Sequence, residues 1–369
     1  MRLGEIGEIG EIGETGETTV WQIPTYRFDL DREIDLVEEV GRCYGYDHVP
    51  SLTVNKGPLP RPIDPSWKLR TELADILGNL GYLQILGNTL DTFDRLRHFV
   101  PRDQIIPLRN PMSEEFTHLR PSLIPALLEA VSLNIRQNAG SIMLFECDKV
   151  YRYENGKPSE KYNLAIAISG ELHPKQWHNL APEKCDYYHI KGICGHILDS
   201  LKIEAPFQKV EREFLDKEQN FAVSIDDRTL CAGGLLSPTV AGAFDIKAPV
   251  YVFEMEIDPI ISKSADDTVF KMWSKFPQID RDVALIMDKS ILAGDVISFA
   301  RESKVDNLRG ISIFDLYAKK PIPKGLKSLG LSMIYRSDDR TLTDDEIDSA
   351  HRQLVDSLCK KFEATIRDK

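Results

Sequence analysis

The segment RDVALIMDKSILAGDVISFARES (residues 281–303) begins an order of elements that decides the fold of the C-terminal part of the chain. RDVALIMD has the composition of a strand, and LAGDVISFARES has the spacing of a helix. The strand patterns LRGISIFDLYA and KSLGLSMIYR follow, and then the helix pattern TDDEIDSAHRQLVDSLCKKF and the short strand ATIR. This β-α-β-β-α-β order predicts a ferredoxin-like domain over residues 274–369.

The second helix of that domain has a well-marked start. Thr343 is a good N-cap residue, and Glu346 stands three positions later. This spacing predicts a capping box, in which each of the two side chains accepts a hydrogen bond from the other residue's backbone N–H.

Residues 66–262 predict an α+β domain around a largely antiparallel sheet. SWKLRTELADILGNLG predicts a helix that ends at Gly81, and RPSLIPALLEAVSLNIRQ predicts a helix with Pro121 in its first turn. YYHIKGICGHILDSL predicts a third helix. Strands are expected where residues that favour sheet are concentrated, at residues 142–151, 163–170, 220–226 and 249–258.

The N-terminal part has three segments of different composition. Residues 1–20 repeat the triplet Gly-Glu-Ile and predict a disordered, low-complexity tail. Residues 21–54 form a compact acidic segment, and the prolines of residues 55–65 predict a stiff linker without helix. A second linker is expected over residues 263–273.

Charge and composition restrict the classes of function. The net charge of −12 argues against a protein that binds polyanions over its whole surface. From residue 271 onward, however, 18 basic residues stand against 16 acidic ones, so nucleic acid is expected at the C-terminal end. There is no apolar run long enough for a membrane helix and no secretory signal. The six scattered cysteines form no Cys-x-x-Cys pair, which predicts reduced thiols and a cytoplasmic location.

The segment YRFDLDREIDLVEE (residues 26–39) concentrates carboxylates, and a calcium loop is one hypothesis for them. An EF-hand needs glycine at its sixth position and glutamate at its twelfth, where this chain has Ile34 and Val40. The EF-hand hypothesis therefore fails.

Two other hypotheses for this segment stay open. The first is a helix start, with Asp35 as the N-cap and Glu38 at the third helical position, favoured by the helix dipole. The second is a magnesium site, in which Asp29 on a preceding strand faces Asp35, Glu38 and Glu39.

Three long stretches resemble the β subunit of bacterial phenylalanyl-tRNA synthetase, in that family's order. IPTYRFDLDREIDLVEEVGRCYGYDHVP is similar to the end of its helix-rich module. RNPMSEEFTHLRPSLIPALLEAVSLNIRQ, LFECDKVY and LLSPTVAGAFDIKAPVYVFEMEID are similar to its class II synthetase-like domain. KFPQIDRDVALIMDKSILAGDVISFARE and FDLYAKKPIPKGLKSLGLSMIYRSDDRTLTDDEID are similar to its anticodon-binding domain.

The resemblance covers residues 21–369 and implies an α+β multidomain fold. A class II aminoacyl-tRNA synthetase-like core with an antiparallel sheet would precede a ferredoxin-like anticodon-binding domain. Residues 21–54 would be the C-terminal remnant of a magnesium-binding module, because the family's Mg²⁺ ligands fall on Asp29, Asp35, Glu38 and Glu39. The family's N-terminal tRNA-binding and editing regions have no counterpart here, which predicts a truncated β subunit.

The resemblance also implies partners. The chain would support ATP-dependent attachment of phenylalanine to tRNA(Phe) by pairing with a catalytic α subunit in an α2β2 tetramer. ATP would be used by that α subunit, and no membrane would be involved. A free-standing tRNA- or RNA-binding protein, and a ligase active on its own, are the alternative hypotheses.

The core lacks the arginines that a class II adenylating site requires to bind ATP phosphates. Glu146 matches the glutamate of the strand motif, and Leu144 occupies the place of its arginine. No arginine stands between Arg228 and Arg281, so the glycine-containing stretch GGLLSPTVAGAFDI offers none. We therefore expect the core to be non-catalytic, with no catalytic residues of its own.

Basic and aromatic residues of the C-terminal domain are the candidate tRNA contacts. The basic candidates are Lys275, Arg281, Arg309, Lys319, Lys320, Lys324, Arg336 and Arg340. Phe276, Tyr317 and Tyr335 offer stacking surfaces, whereas Phe314 is expected to lie in the core. Binding to the anticodon stem or loop should be modest and salt-dependent.

Overall fold

The structure is a computed structural model that describes residues 4–5, 21–50, 63–172, 177, 182–226, 228–261, 270 and 272–367. The chain divides into two compact units, Met1–Pro62 and Ile63–Lys369. Among the described residues, no helix has the length and apolar character needed to cross a membrane.

The described part of the first unit contains one α-helix, a single 3-10 turn at Tyr46–His48 and a pair of short strands. Strands β1 (Gly4–Glu5) and β2 (Trp21–Gln22) pair antiparallel, and α1 spans Glu33–Tyr44. Strand β1 falls within the predicted low-complexity tail, and residues 6–20 of that tail lie outside the described residues. So do residues 55–62 of the predicted linker.

The second unit begins with an α+β domain, as predicted. Its strands are β3 (Leu83–Gln84), β4 (Leu90–Asp91), β5 (His118–Leu119), β6 (Ser141–Glu154), β7 (Lys157–Gly170), β8 (Phe207–Gln208), β9 (Leu215–Ile225), β10 (Arg228–Leu236) and β11 (Val250–Glu256). Its helices are α2 (Pro65–Asn79), α3 (Phe93–Leu96), α4 (Ile124–Arg136), α5 (Tyr187–Ser200), α6 (Pro238–Ala243) and α7 (Asp258–Ile261). Seven strands form one sheet in the order β3-β6-β7-β11-β10-β9-β8, antiparallel throughout except for β3 beside β6.

Both faces of this sheet are buried, because successive side chains of a strand point to opposite faces. On one face α2 and α5 pack on residues such as Phe145 and Phe253. On the other face α4 and α6 pack on Leu144, Ala165 and Val252. The strands are accordingly apolar at consecutive positions, which the sequence shows most clearly in β7.

Two helix starts differ from the sequence prediction. Helix α2 begins at Pro65, and the Asp64 carboxylate accepts a hydrogen bond from the Ser66 N–H, so the end of the predicted linker belongs to this helix. Helix α4 begins at Ile124 with Pro125 in its first turn, whereas Pro121 precedes the helix. Gly81 follows α2 with a φ of 88°, which agrees with its predicted role at the helix end.

The C-terminal domain has the predicted ferredoxin-like order of elements. It comprises β12 (Ile279–Asp288), α8 (Ala293–Glu302), β13 (Leu308–Tyr317), β14 (Leu326–Tyr335), α9 (Asp344–Phe362) and β15 (Thr365–Ile366). Its sheet has the order β13-β14-β12-β15, with every pair antiparallel.

Helices α8 and α9 cover one face of this sheet. Their apolar side chains pack on a cluster that includes Leu285, Leu329 and Leu331. Alternate residues of the central strands point to the other face, where Asp282 is exposed and Ile286 and Ile334 are half-buried.

Candidate functional site

Arg27 lies between two of the four predicted magnesium ligands. Its Nη2 atom is 2.6 Å from Asp29 Oδ2 and 2.6 Å from Glu39 Oε1. Arg42 Nη2 is 2.6 Å from the second oxygen of Glu39. The hydrogen bond from Arg27 lowers the pKa of Asp29, and those from Arg42 and Arg27 lower the pKa of Glu39. Both carboxylates are therefore ionised and already bound by a cationic side chain.

The other two predicted ligands have different surroundings. Asp35 Oδ2 accepts hydrogen bonds from the backbone N–H groups of Arg32 at 2.8 Å and Asp31 at 3.1 Å, which lowers the pKa of Asp35. Helix α1 starts at Glu33, so Asp35 stands at the third helical position rather than at the N-cap. Glu38 is exposed to solvent. A carboxylate in the first turn of a helix still stabilises it through the dipole.

The four carboxylates do not form a ligand cluster in this arrangement. Asp29 lies in a turn and not on a strand. Within the described ranges, no group of three or more histidine, cysteine, aspartate or glutamate side chains is placed to hold a metal ion. The Arg27 guanidinium stands where a cation would have to contact Asp29 and Glu39 together. The residues as arranged therefore do not fit a magnesium ion.

The eight basic candidates of the C-terminal domain separate into two groups at opposite ends of the sheet. Arg281 is the third residue of β12, Arg309 is the second residue of β13, and Arg336 directly follows β14. Arg340 and Lys275 flank these strand ends in sequence. The carboxylates that pair with the arginines are Asp344 and Asp348 for Arg281, Asp338 for Arg309 and Arg336, and Glu346 for Arg340.

The remaining three candidates lie on the connection between β13 and β14. Lys319, Lys320 and Lys324 are all exposed. Each strand is ten residues long, which at about 3.3 Å per residue separates these lysines from the arginines by roughly 30 Å. One short nucleotide segment cannot contact both groups.

The aromatic candidates differ from expectation at two positions. Tyr335 is fully buried, and its hydroxyl is 3.3 Å from His351 Nδ1, so it offers no stacking surface. Phe314 was expected in the core, but its side chain is 57% exposed. The register between β13 and β14 shifts between Ile313 and Asp315, so Phe314 is the extra residue of a β-bulge. A bulge redirects a side chain in a way that strand alternation does not predict.

The core places Leu144 and Glu146 on the same sheet face, under α4. Leu144 is buried among apolar residues there. Glu146 is fully buried, and its Oε1 atom is 2.6 Å from Arg120 Nη1 and accepts the Gly87 N–H at 3.0 Å. Burial raises the pKa of Glu146, against the attraction of Arg120. This glutamate is thus engaged in a buried ion pair.

A cleft of about 830 Å³ lies beside the β6–β7 hairpin, and no sequence pattern points to it. Several of its charged lining groups are already paired. Arg228 Nη2 is 2.6 Å from both oxygens of Glu256, and Arg152 Nε donates to the Pro121 carbonyl at 2.7 Å. Glu254 accepts hydrogen bonds from the Ser122 hydroxyl, the Leu123 N–H and the Asn163 amide. These residues are far apart in sequence, and no motif joins them.

Three family models match this sequence. Residues 49–257 match the model described as "Phenylalanyl tRNA synthetase beta chain CLM domain". Residues 274–367 match "Ferredoxin-fold anticodon binding domain", and residues 8–46 match "tRNA synthetase B5 domain".

The curated relatives that match are named phenylalanine–tRNA ligase beta subunits. The protein of Syntrophotalea carbinolica is 33% identical and that of Geobacter sulfurreducens 30% identical, each over 355 residues. Each alignment covers 94% of this chain and 44% of the relative, so the chain spans less than half the length of these relatives. A solved pyrrolysyl-tRNA synthetase of Desulfitobacterium hafniense matches 53% of this chain and 67% of its own at 19% identity, and its TM-score of 0.42 does not establish a shared fold. By its family-model match across more than half of its length, this chain belongs to the phenylalanyl-tRNA synthetase beta-chain family.

Proposed function

We propose that this chain acts as the β-subunit component of phenylalanine–tRNA ligase. It supports ATP-dependent attachment of phenylalanine to tRNA(Phe) by pairing with the α subunit and by binding tRNA. The observation that carries the proposal is the family match of the core, followed in the chain by the match of the anticodon-binding domain. We place the complex in the cytoplasm, in keeping with six cysteines that are all free thiols. The proposed complex is an α2β2 tetramer.

In this proposal the core is not catalytic, and ATP is bound and used by the α subunit. The burial of Leu144 under α4 supports this view, because an apolar side chain cannot hold a phosphate. Two of the three arginines that line the cleft support it as well. Arg152 and Arg228 already donate to protein acceptors, so each would have to leave a partner before it could bind a nucleotide.

Magnesium binding by Asp29, Asp35, Glu38 and Glu39 stays a prediction from the family resemblance, and no step of the proposed function depends on it. It requires Arg27 to release Asp29 and Glu39. Titration of the chain with MgCl₂ in a calorimeter tests it, with Asp29→Asn as the variant that should lose binding. Equal heats of Mg²⁺ binding for the wild-type chain and Asp29→Asn would contradict the predicted magnesium site.

The proposed subunit role is tested by co-expressing the chain with the α subunit of the same organism. Size-exclusion chromatography with light scattering gives the mass of any complex, and phenylalanylation of tRNA(Phe) gives its activity. We expect a complex that charges tRNA, whereas neither chain alone does so. ATP–pyrophosphate exchange by the isolated chain would contradict the non-catalytic core. Failure to form any complex, with RNA binding retained, would favour the free-standing RNA-binding alternative.

A further inference from the structure

Two of the six cysteines meet inside the α+β domain. Cys194 lies on α5 and Cys231 on β10, and their Sγ atoms are 3.5 Å apart, so that one thiol donates a hydrogen bond to the other. Both side chains are buried in the apolar cluster between α5 and the seven-stranded sheet. In the part of the chain that the structure describes, no contact between two sulfur atoms is found for the other four cysteines. This dithiol joins a helix to a strand across 37 sequence positions.

The positions of the two sulfur atoms favour a covalent bond between them. A disulfide bond is about 2.05 Å long, so the two atoms would have to approach each other by about 1.5 Å. Because the sulfur atoms already touch, the two side chains point toward each other and not apart, which a bridge requires. The fold also holds each thiol at a high effective concentration relative to the other.

The surroundings of the dithiol limit when it can react. The hydrogen bond with Cys231 and burial raise the pKa of Cys194 well above its ordinary value. A cysteine with a raised pKa carries little thiolate at neutral pH, and the thiolate is the reactive species. An oxidant therefore reaches the pair only when α5 opens from the sheet, or while the chain folds.

We propose that Cys194 and Cys231 form an intramolecular disulfide when the chain meets a disulfide oxidant such as glutathione disulfide, and that this bond ties α5 to β10. One cysteine thiolate attacks a sulfur atom of the oxidant and releases a glutathione thiolate, which leaves a mixed disulfide on the protein. The second cysteine thiolate attacks the protein sulfur of that mixed disulfide and releases the second glutathione thiolate. The pair loses two electrons to the oxidant, and its two protons pass to the two released thiolates.

The bond would have a structural consequence. It closes a loop of the chain that contains β8 and β9, and a closed loop restricts the unfolded state. The oxidised core should therefore be harder to unfold than the reduced core. Thiol reductants would reverse the change, because they run the same exchange backward.

The test maps the disulfide in the full chain by mass spectrometry. The chain is incubated with glutathione disulfide, and a second sample is refolded from urea in the same solution so that the oxidant has access to every thiol. Free thiols are then alkylated, and the protein is digested with trypsin without reduction. Cleavage after lysine and arginine places Cys194 in residues 192–202 and Cys231 in residues 229–247, each as the single cysteine of its peptide.

We expect a product in which these two peptides are joined, with two hydrogen atoms fewer than the separate peptides. Cys194→Ala and Cys231→Ala should each abolish it. Cys147→Ala is the matched control, because Cys147 is buried in the same cluster without a sulfur neighbour, and this variant should still form the product. In urea, the unfolding equilibrium constant of the oxidised wild-type core should be roughly 30- to 700-fold smaller than that of the same protein reduced with dithiothreitol.

Glutathione adducts on Cys194 and Cys231 without the joined peptides would overturn the proposal, because the second attack would then fail although the oxidant reaches both thiols. Two alkylated thiols after refolding in the oxidant would overturn it as well. If the joined peptides formed but the oxidised chain unfolded at the same or a lower urea concentration than the reduced chain, the stabilising effect of the bond would be refuted.

Discussion

At the scale of single residues, Arg120 and Glu146 form a buried ion pair in the core. Arg120 is 2% exposed, and its guanidinium binds Glu146, the exposed edge of Asp148 and the Lys149 carbonyl. Removing one charge of such a pair leaves the other buried without a partner, whereas replacing both with apolar groups is often tolerated.

Arg120→Met should lower the free energy of unfolding by about 3–5 kcal/mol, because Glu146 loses its buried partner. The double variant Arg120→Met/Glu146→Leu should recover most of that loss. Urea denaturation of the three proteins checks both expectations. A double variant no more stable than Arg120→Met would show that the arginine acts through its other hydrogen bonds.

At the scale of elements, strand β10 depends on glycines that sequence patterns associate with loops. Sequence patterns predict no strand at RTLCAGGLL, yet these residues form a central strand between β9 and β11. An added Cβ at Gly233 would lie 2.3 Å from Phe253 Cβ and 2.7 Å from the Val252 carbonyl oxygen. The glycine therefore permits close packing inside the sheet.

Gly233→Ala should destabilise the chain by about 1–3 kcal/mol, because the added methyl group overpacks the sheet. Gly242→Ala is the matched control, since its added Cβ has no heavy atom within 4 Å. That control should be neutral or stabilising by up to about 1 kcal/mol. The measurement is urea denaturation, and equal stabilities of the two variants would argue against the close contact at Gly233.

The start of α9 is a second element-scale feature, and it is sensitive to pH. Glu346 accepts the Thr343 N–H at 3.0 Å and binds Arg340 at 2.6 and 2.8 Å, while Thr343 Oγ1 accepts the Glu346 N–H. The hydrogen bond from Arg340 comes first among the causes that lower the pKa of Glu346 to about 2, from an ordinary value of 4.5. The predicted capping box is present, with an arginine added from the preceding loop.

Because the folded-state pKa of Glu346 lies below its ordinary value, its contribution to stability is complete above pH 4.5 and is lost as the pH falls toward 2. Glu346→Gln should therefore lower the melting temperature at pH 6 and have a diminishing effect as the pH decreases through that range. Thermal unfolding of both proteins at a series of pH values measures the difference. A difference independent of pH would mean that the carboxylate charge plays no part.

At the scale of the whole molecule, the second unit contains separate apolar cores. Two clusters lie on the opposite faces of the seven-stranded sheet. A third cluster is formed within the ferredoxin-like domain, from Ile279 to Ala364. A domain that encloses its own core can fold independently.

A fragment of residues 270–369 should therefore fold without the rest of the chain. We expect a cooperative unfolding transition in urea, with a midpoint that coincides with one transition of the full chain. Far-ultraviolet circular dichroism should show mixed helix and sheet. A fragment without a cooperative transition would show that the domain needs contacts from the core.

The sequence by itself determined most of the helices, the long strands other than β10 and the order of the C-terminal domain, because helical and strand periodicity depend on residues close together in the chain. It correctly predicted the β-α-β-β-α-β order, the capping box at Thr343 and four strands of the core, β6, β7, β9 and β11. The family followed from long contiguous motifs, which are also local features of the chain.

Only the tertiary structure decided which charges meet. Arg27 binds Asp29 and Glu39, and Arg281, Arg309, Arg336 and Arg340 pair with carboxylates from α9 and its preceding loop. A bulge exposes Phe314, while Tyr335 is buried among core residues. These outcomes depend on strand register and on contacts between residues distant in sequence, and such contacts leave no periodic pattern in the chain.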